Sequence, residues 1–356
     1  MQKTYRTAIA MLCGTFLTIV CCVTLAGVIM AAPQDSAGSG YHVVRKLPLG
    51  GEGRWDYLTV DPEARRIYVS RSTHVMVVDE DSGKVVGDIP GTKGVHGIAL
   101  APDLGKGYTS NGDAASVTIF DMKTLRTVSS VNVTGKNPDS ILYDPATKRV
   151  FTFNGRSANA TAIDATTEKV VGTIALGGKP ETPVLDGKGN IFVNVESTNS
   201  LAEFDAKTLA VKHTYPLPGC KGPSGIAMDT ATRRIFIGCS DSNVMAIVNA
   251  DTGKVVAKPA IAEDTDASRF DPETHLAFAS CENGLTIIHE DSPDKFSVVA
   301  TVKTQDGART MTLDPKTHHI FLVTADMKPA PPPTKQDPDP RRPIVPDTFV
   351  MYELAP

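Results

Sequence analysis

The sequence predicts an all-β fold, a seven-bladed β-propeller of four-stranded antiparallel blades. Three observations point there. One phrase, an Asp turn followed by a basic residue and an aromatic-aliphatic strand, recurs along the chain, as in Asp61-Pro62-Glu63-Ala64-Arg65-Arg66-Ile67-Tyr68-Val69 and Asp314-Pro315-Lys316-Thr317-His318-His319-Ile320-Phe321-Leu322. The turn positions 61, 101, 144, 186, 229, 271 and 314 are spaced by 40, 43, 42, 43, 42 and 43 residues. A period of that size filled with short strands means one blade per repeat, and seven repeats close a ring. The third observation lies at the chain ends. The last repeat stops after its third strand, and Tyr41-His42-Val43-Val44-Arg45-Lys46-Leu47 is a strand without a blade. Pairing of 41–47 beside 348–352 therefore closes the ring and removes two exposed edges.

Within each repeat the elements follow in order. Inner strand a precedes the turn (Tyr57-Leu58-Thr59-Val60, Gly225-Ile226-Ala227-Met228), and strand b follows it. Strand c is read as the alternating run Val75-Met76-Val77-Val78, Val117-Thr118-Ile119-Phe120 or Leu285-Thr286-Ile287-Ile288. A turn such as Asp79-Glu80-Asp81-Ser82-Gly83-Lys84 then leads to outer strand d, its Gly supplying the positive φ of a tight hairpin. A Pro-rich insertion, 328–346, separates strands b and c of the last repeat.

Residues 1–31 read as a signal peptide or an uncleaved anchor: Lys3 and Arg6 precede an uncharged run from Ala8 to Ala32, with a cut placed after Ala31. Residues 32–40 form a linker, and 41–356 the single propeller. The expected location is periplasmic or secreted, with membrane attachment only through the N-terminal segment. Without Lys3 and Arg6, 34 basic side chains face 40 acidic ones, a surface that repels phosphate backbones. No nucleic-acid partner is expected, and the chain reads as a monomer. Of the cysteines outside the export segment, Cys220 and Cys239 fall on one face of the fifth blade and are expected to form a disulfide, leaving Cys281 free.

Five residues before each turn lies the mouth of the central channel, with one residue from each repeat: Asp56, His96, Asp139, Glu181, Ser224, Asp266 and Arg309. All are polar, whereas the neighbouring station holds Trp55, Val95, Pro138, Pro180, Pro223, Thr265 and Ala308. Such a ring suits a ligand-binding site, or a divalent metal held by Asp56, His96, Asp139, Glu181 or Asp266; a wet, inert rim is the plain alternative. Arg71, Asn111, Asn154 and Glu196 end their b strands at the same mouth, with Trp55 nearby. Arg269 stands where other repeats carry small or apolar residues, and Asp266 is its expected structural partner. His275, His318 and His319 in the a–b turns, and His42, His74, His213 and His289 on outer strands, read as solvated. No nucleophile elbow, P-loop or dinucleotide fingerprint is found.

The strand b phrases with their Asp-Pro turns, together with Trp55-Asp56-Tyr57-Leu58-Thr59-Val60-Asp61, Gly94-Val95-His96-Gly97-Ile98-Ala99-Leu100 and Lys136-Asn137-Pro138-Asp139, resemble the YVTN-repeat seven-bladed propellers, in particular the exported YncE-like group. That resemblance spans about 40–354 and implies the propeller fold and export; single-strand DNA binding is implied by it alone. The function expected is binding or scaffolding of a small molecule or partner protein at the mouth. The alternative is a metal-dependent hydrolase, lactonase or lyase built on the carboxylate and His ring. No resident cofactor is assigned.

Overall fold

A computed structural model describes residues 38–335, 338 and 340–356. The signal peptide or anchor and most of the 32–40 linker lie outside the described residues. The rest is an all-β propeller of four-stranded antiparallel sheets.

Each repeat folds as its pattern dictates. In the third, Pro138–Asp144, Arg149–Asn154, Asn159–Asp164 and Lys169–Ala175 pair in sequence order, with Asp144 opposite Arg149 across the Asp-Pro turn. Middle strands such as Asn190–Val195 are covered on both faces and are mostly apolar, while outer strands such as Val211–Pro216 are largely exposed. The apolar core lies between sheets: Phe151, Phe153 and Ile174 of the third repeat pack with Ile191, Val193 and Phe204 of the fourth. Stability is thus shared between neighbours, as the repeat organisation requires.

The expectation of seven separate blades gives way to six hydrogen-bonded sheets, five of four strands and one of six. The first two repeats run together. Arg66–Asp79 carries what the sequence divides into strands b and c, and Val85–Ala101 carries outer strand d of the first repeat and inner strand a of the second. The first turn spacing, 40 residues, is the shortest of the six. Ser72 turns the chain with φ 58° and pairs with Val95, carrying the ladder from one repeat into the next.

His42–Pro48 pairs antiparallel with the C-terminal strand, in the sheet order His42–Pro48, Val350–Ala355, Ile320–Thr324, Thr310–Leu313. The C-terminal strand starts two residues later than the sequence suggests and runs to Ala355, with Leu47 opposite Met351. The Pro-rich insertion rises from a short stem in which Lys328 N–H donates to Pro343 O and Val345 N–H to Asp326 O, both at 2.8 Å.

The repeated turn carboxylates are buried and satisfied. Asp314 accepts from the Lys316 N–H and the Thr317 hydroxyl, both at 2.9 Å. Asp229 does the same with Ala231 and Thr232 at 2.8 Å. Four residues after the turn position, Arg65, Lys148, Arg233, His275 and His318 all take positive φ of 53–63°. Three of them reach the turn carboxylate of the preceding repeat: Arg65 to Asp314 (2.7 Å), Arg233 to Asp186 (3.3 Å) and His318 to Asp271 (2.7 Å). The reading of His318 and His319 as solvated is therefore corrected. His319 sits 2.6 Å from the buried Glu353, so both imidazoles are half-buried partners of carboxylates.

Candidate ligand site at the channel mouth

The mouth station is shaped by backbone irregularity. Pairing between strands a and b skips two residues at this point in four repeats, between Val95 and Ile98, Pro138 and Ile141, Pro180 and Pro183, and Pro223 and Ile226. Such bulges release the residues within them from the ladder and redirect their side chains. His96, Asp139, Glu181 and Ser224 are among those released. Three of these strands open on Pro, which has no N–H to contribute.

The freed backbone is held by the preceding repeat. Ser110 donates to Asp139 O and Ser140 to Glu181 O. Asn194 donates to Ser224 O at 2.8 Å, Ser224 to Asp266 O at 3.0 Å, and Ser280 to Arg309 O. On the first repeat, the Asp56 N–H donates to Ser70 Oγ at 2.9 Å. Six of the seven mouth residues are thereby held through their backbone by a polar side chain, and of those side chains the sequence analysis singled out Ser224 alone.

Within the ring, His96 Nδ1 lies 2.6 Å from Asp56 Oδ2 and 3.7 Å from Asp139 Oδ1. One donor atom from each of Asp56, His96 and Asp139 falls within 4.8 Å of the others. Burial works against a charged imidazole, yet the Asp56 hydrogen bond and the Asp139 charge raise His96 to about 9. Burial and the Asp56 charge push Asp139 up to about 7. Glu181 rises to about 8 through burial and the Asp139 charge, although Lys179 Nζ is 2.6 Å away. Burial also raises Asp266, to about 6, against the pull of Arg309. Arg309 bonds Asp264 rather than a ring carboxylate, and Lys179 also holds Glu196 at 2.5 Å.

Tyr57 is the main residue sequence reasoning missed. Burial raises its phenol well above the ordinary value, and Asp139, Glu181, Asp56 and Asp266 all add to the effect. Those four carboxylates come from four different repeats. Gly112 makes room for His96: a Cβ there would come within 2.6 Å of His96 Nε2.

The secondary positions divide. Glu196 belongs to the mouth through Lys179. Arg71, Asn111 and Asn154 do not face it, which corrects the expectation. Arg71 is 1% exposed, donates to the carbonyls of Gly50, Gly51 and Gly53, and lies 3.7 Å over the Phe349 ring. Asn111 and Asn154 are spent on neighbouring Thr, Ser and Asn side chains inside their blades. Side chains alternate along a strand, so the residue before the strand end, Ser70 or Ser110, is the one that meets the mouth backbone. Trp55 packs on Phe349, ring centroids 5.1 Å apart. Arg269 forms no ion pair with Asp266; its Nη1 donates instead to Ser268 O at 2.8 Å. Cys220 and Cys239 are joined as a disulfide and Cys281 is buried and free.

Residues 113–320 match the model of the family described as outer membrane protein assembly factor BamB. The chain belongs to that family. Among solved structures it is similar to Kuenenia stuttgartiensis hydrazine synthase, with a TM-score of 0.67 and 18% identity over 80% of this chain and 95% of that one. At that identity the likeness shows the propeller fold alone. No curated protein matches the chain. The BamB-type match covers the third to sixth repeats in full and parts of the second and seventh. It thus includes Asp139, Glu181, Ser224, Asp266 and Arg309 but not Asp56 or His96.

Proposed function

We propose that this protein is an exported binding propeller whose mouth captures a positively charged group, carried by a small ligand or by a partner protein. The observation that carries the proposal is the charge imbalance of the mouth. Asp56, Asp113, Asp139, Glu181, Glu196, Asp264, Asp266 and Glu282 act on the ring, against Lys179, Arg309 and His96. Crowded carboxylates in a half-buried site raise one another's pKa, and an incoming cation relieves that cost. Membership of the BamB-type family supports a binding or scaffold role, and the disulfide supports an oxidising, periplasmic-type compartment.

Calorimetric titration with n-hexylammonium tests the proposal. Binding by the wild-type protein, lost in Asp139→Asn/Glu181→Gln and weakened by salt, is the expected result. Absence of binding to the wild type would overturn it.

A second reading has its own observation. Asp56, His96 and Asp139 place one ligand atom each within 4.8 Å of the others, a set that suits a divalent cation, which a hydrolase, lactonase or lyase could use. One tightly held metal per chain, released by Asp139→Asn, would favour that reading. Single-strand DNA binding is opposed by the acidic mouth; DNA retention that collapses with salt would revive it.

A further inference from the structure

Three residues further down the inner strand Ala267–Asp271 from Asp266, the channel wall changes sign. The step is roughly 10 Å at about 3.3 Å per residue. Arg269 occupies a position that elsewhere holds Thr59, Ala99, Leu142, Val184, Ala227 and Thr312. Among the described residues it has no carboxylate within ion-pair distance, and its one hydrogen bond goes to the Ser268 carbonyl. Burial lowers its pKa, and Tyr57 is the neighbour that acts on it. Four guanidinium N–H groups are thus left for whatever fills the channel. A cavity of about 170 Å³ lies there, lined by both Arg269 and Tyr57 and walled by Gly97, Ser140, Thr182 and Ile226. Tyr57, Gly97, Ser140 and Thr182 directly follow Asp56, His96, Asp139 and Glu181 on their strands, so the cavity they line adjoins the mouth at one end and Arg269 at the other.

We infer that the channel is a bipolar site for a small zwitterion, with its ammonium at the carboxylate ring and its carboxylate on Arg269. The inference rests on the mouth being a cation site. A sequestered guanidinium without a counter-ion is costly, and a planar carboxylate matches its fork of donors. The cavity is smaller than the ~300 Å³ at which sites for drug-sized ligands begin, so the ligand is compact. Water alone in the cavity is the competing occupant.

The probes are glycine, 4-aminobutyrate and 6-aminohexanoate, each compared by calorimetry on the full-length protein with the amine and the carboxylic acid of matching chain length. One amino acid of the series is expected to bind at least about tenfold more tightly than its amine, the scale a charge-assisted hydrogen bond supplies. Arg269→Met should bring that affinity down to the amine's. If no amino acid exceeds its amine while amines still bind, the bipolar site is wrong and the cation-binding mouth stands. If neither class binds, both fall. The wild-type comparison decides the matter whether or not the Arg269 variant folds.

Discussion

The two ends of the inner strands carry the same residue type in opposite electrostatic states. At the turn end, Asp186, Asp271 and Asp314 are almost wholly buried, yet each has backbone or hydroxyl donors from its own turn and a basic side chain, Arg233, His318 or Arg65, reaching it from the next repeat. Burial alone would raise Asp314, but the Lys316 N–H and the other donors around it, with Arg65, bring it below its ordinary value. At the mouth, Asp139, Glu181 and Asp266 are less covered but more crowded, and all three are pushed upward. Carboxylates at the turns stabilise the fold, whereas those at the mouth cost stability and are suited to a ligand. Five residues of strand separate the two roles.

Perturbations should follow that division. The largest effect is expected where the frame common to both ends is removed. Deleting residues 347–356 takes away Val350–Ala355, the pairing partner of His42–Pro48, and exposes edges in two strands. The domain should lose cooperative unfolding in a thermal melt, since the loss approaches the whole ~5–15 kcal/mol of a typical fold. A truncated protein that melts like wild type would show that this pairing does not hold the ring.

Asp314→Ala comes next. It removes two turn hydrogen bonds and the anion that Arg65 reaches from the first repeat. A loss of about 3 kcal/mol in denaturant unfolding is expected. A change under ~0.5 kcal/mol would erase the distinction between the two ends.

The pH dependence sharpens the comparison further. Asp139 and Glu181 have folded-state values raised to about 7 and about 8, so their contribution to stability is full below their ordinary values and is lost as pH rises through 7 and 8. His96, raised to about 9, adds a loss of the same sign, complete only above that pH. The melting temperature should therefore fall between pH 5 and pH 9, by an amount equivalent to a few kcal/mol. Asp139→Asn/Glu181→Gln should flatten most of that slope. A profile that rises over this range would contradict the assignment.

Gly112→Ala should have the smallest effect. The added methyl would press on His96 Nε2 and turn the ring from Asp56, lowering the imidazole pKa by up to about one unit with little loss of stability. NMR titration of His96 reads this directly; an unmoved titration would mean the ring is held by contacts other than Asp56.

Much of this was legible in the sequence, for identifiable reasons. The Asp turns, the strand phrases, the pairing of 41–47 with the C-terminal strand and the Cys220–Cys239 bridge follow from period and register, which are local properties. The merging of the first two repeats into one sheet was not legible, because it depends on Ser72 turning without a loop. The ring of Asp56, His96, Asp139 and Glu181 was found by counting back from the turns, yet its depth and crowding were not, since they depend on bulges and on neighbouring repeats. Arg71, Asn111 and Asn154 were misplaced because one residue of register sends a side chain to the other face. Tyr57 gave no signal beyond its place after Asp56. The basic residue four places after five of the seven turns was visible as a repeat, but its reach into the preceding blade was not.

The central claim, that the mouth carboxylates serve a ligand at the expense of the fold, is tested most directly by the stability of Asp139→Asn/Glu181→Gln at pH 8. Removing two crowded negative charges there should raise the melting temperature above wild type, or at least leave it unchanged. A fall equivalent to several kcal/mol would make the ring a structural network like the turn face, and the claim would not survive it.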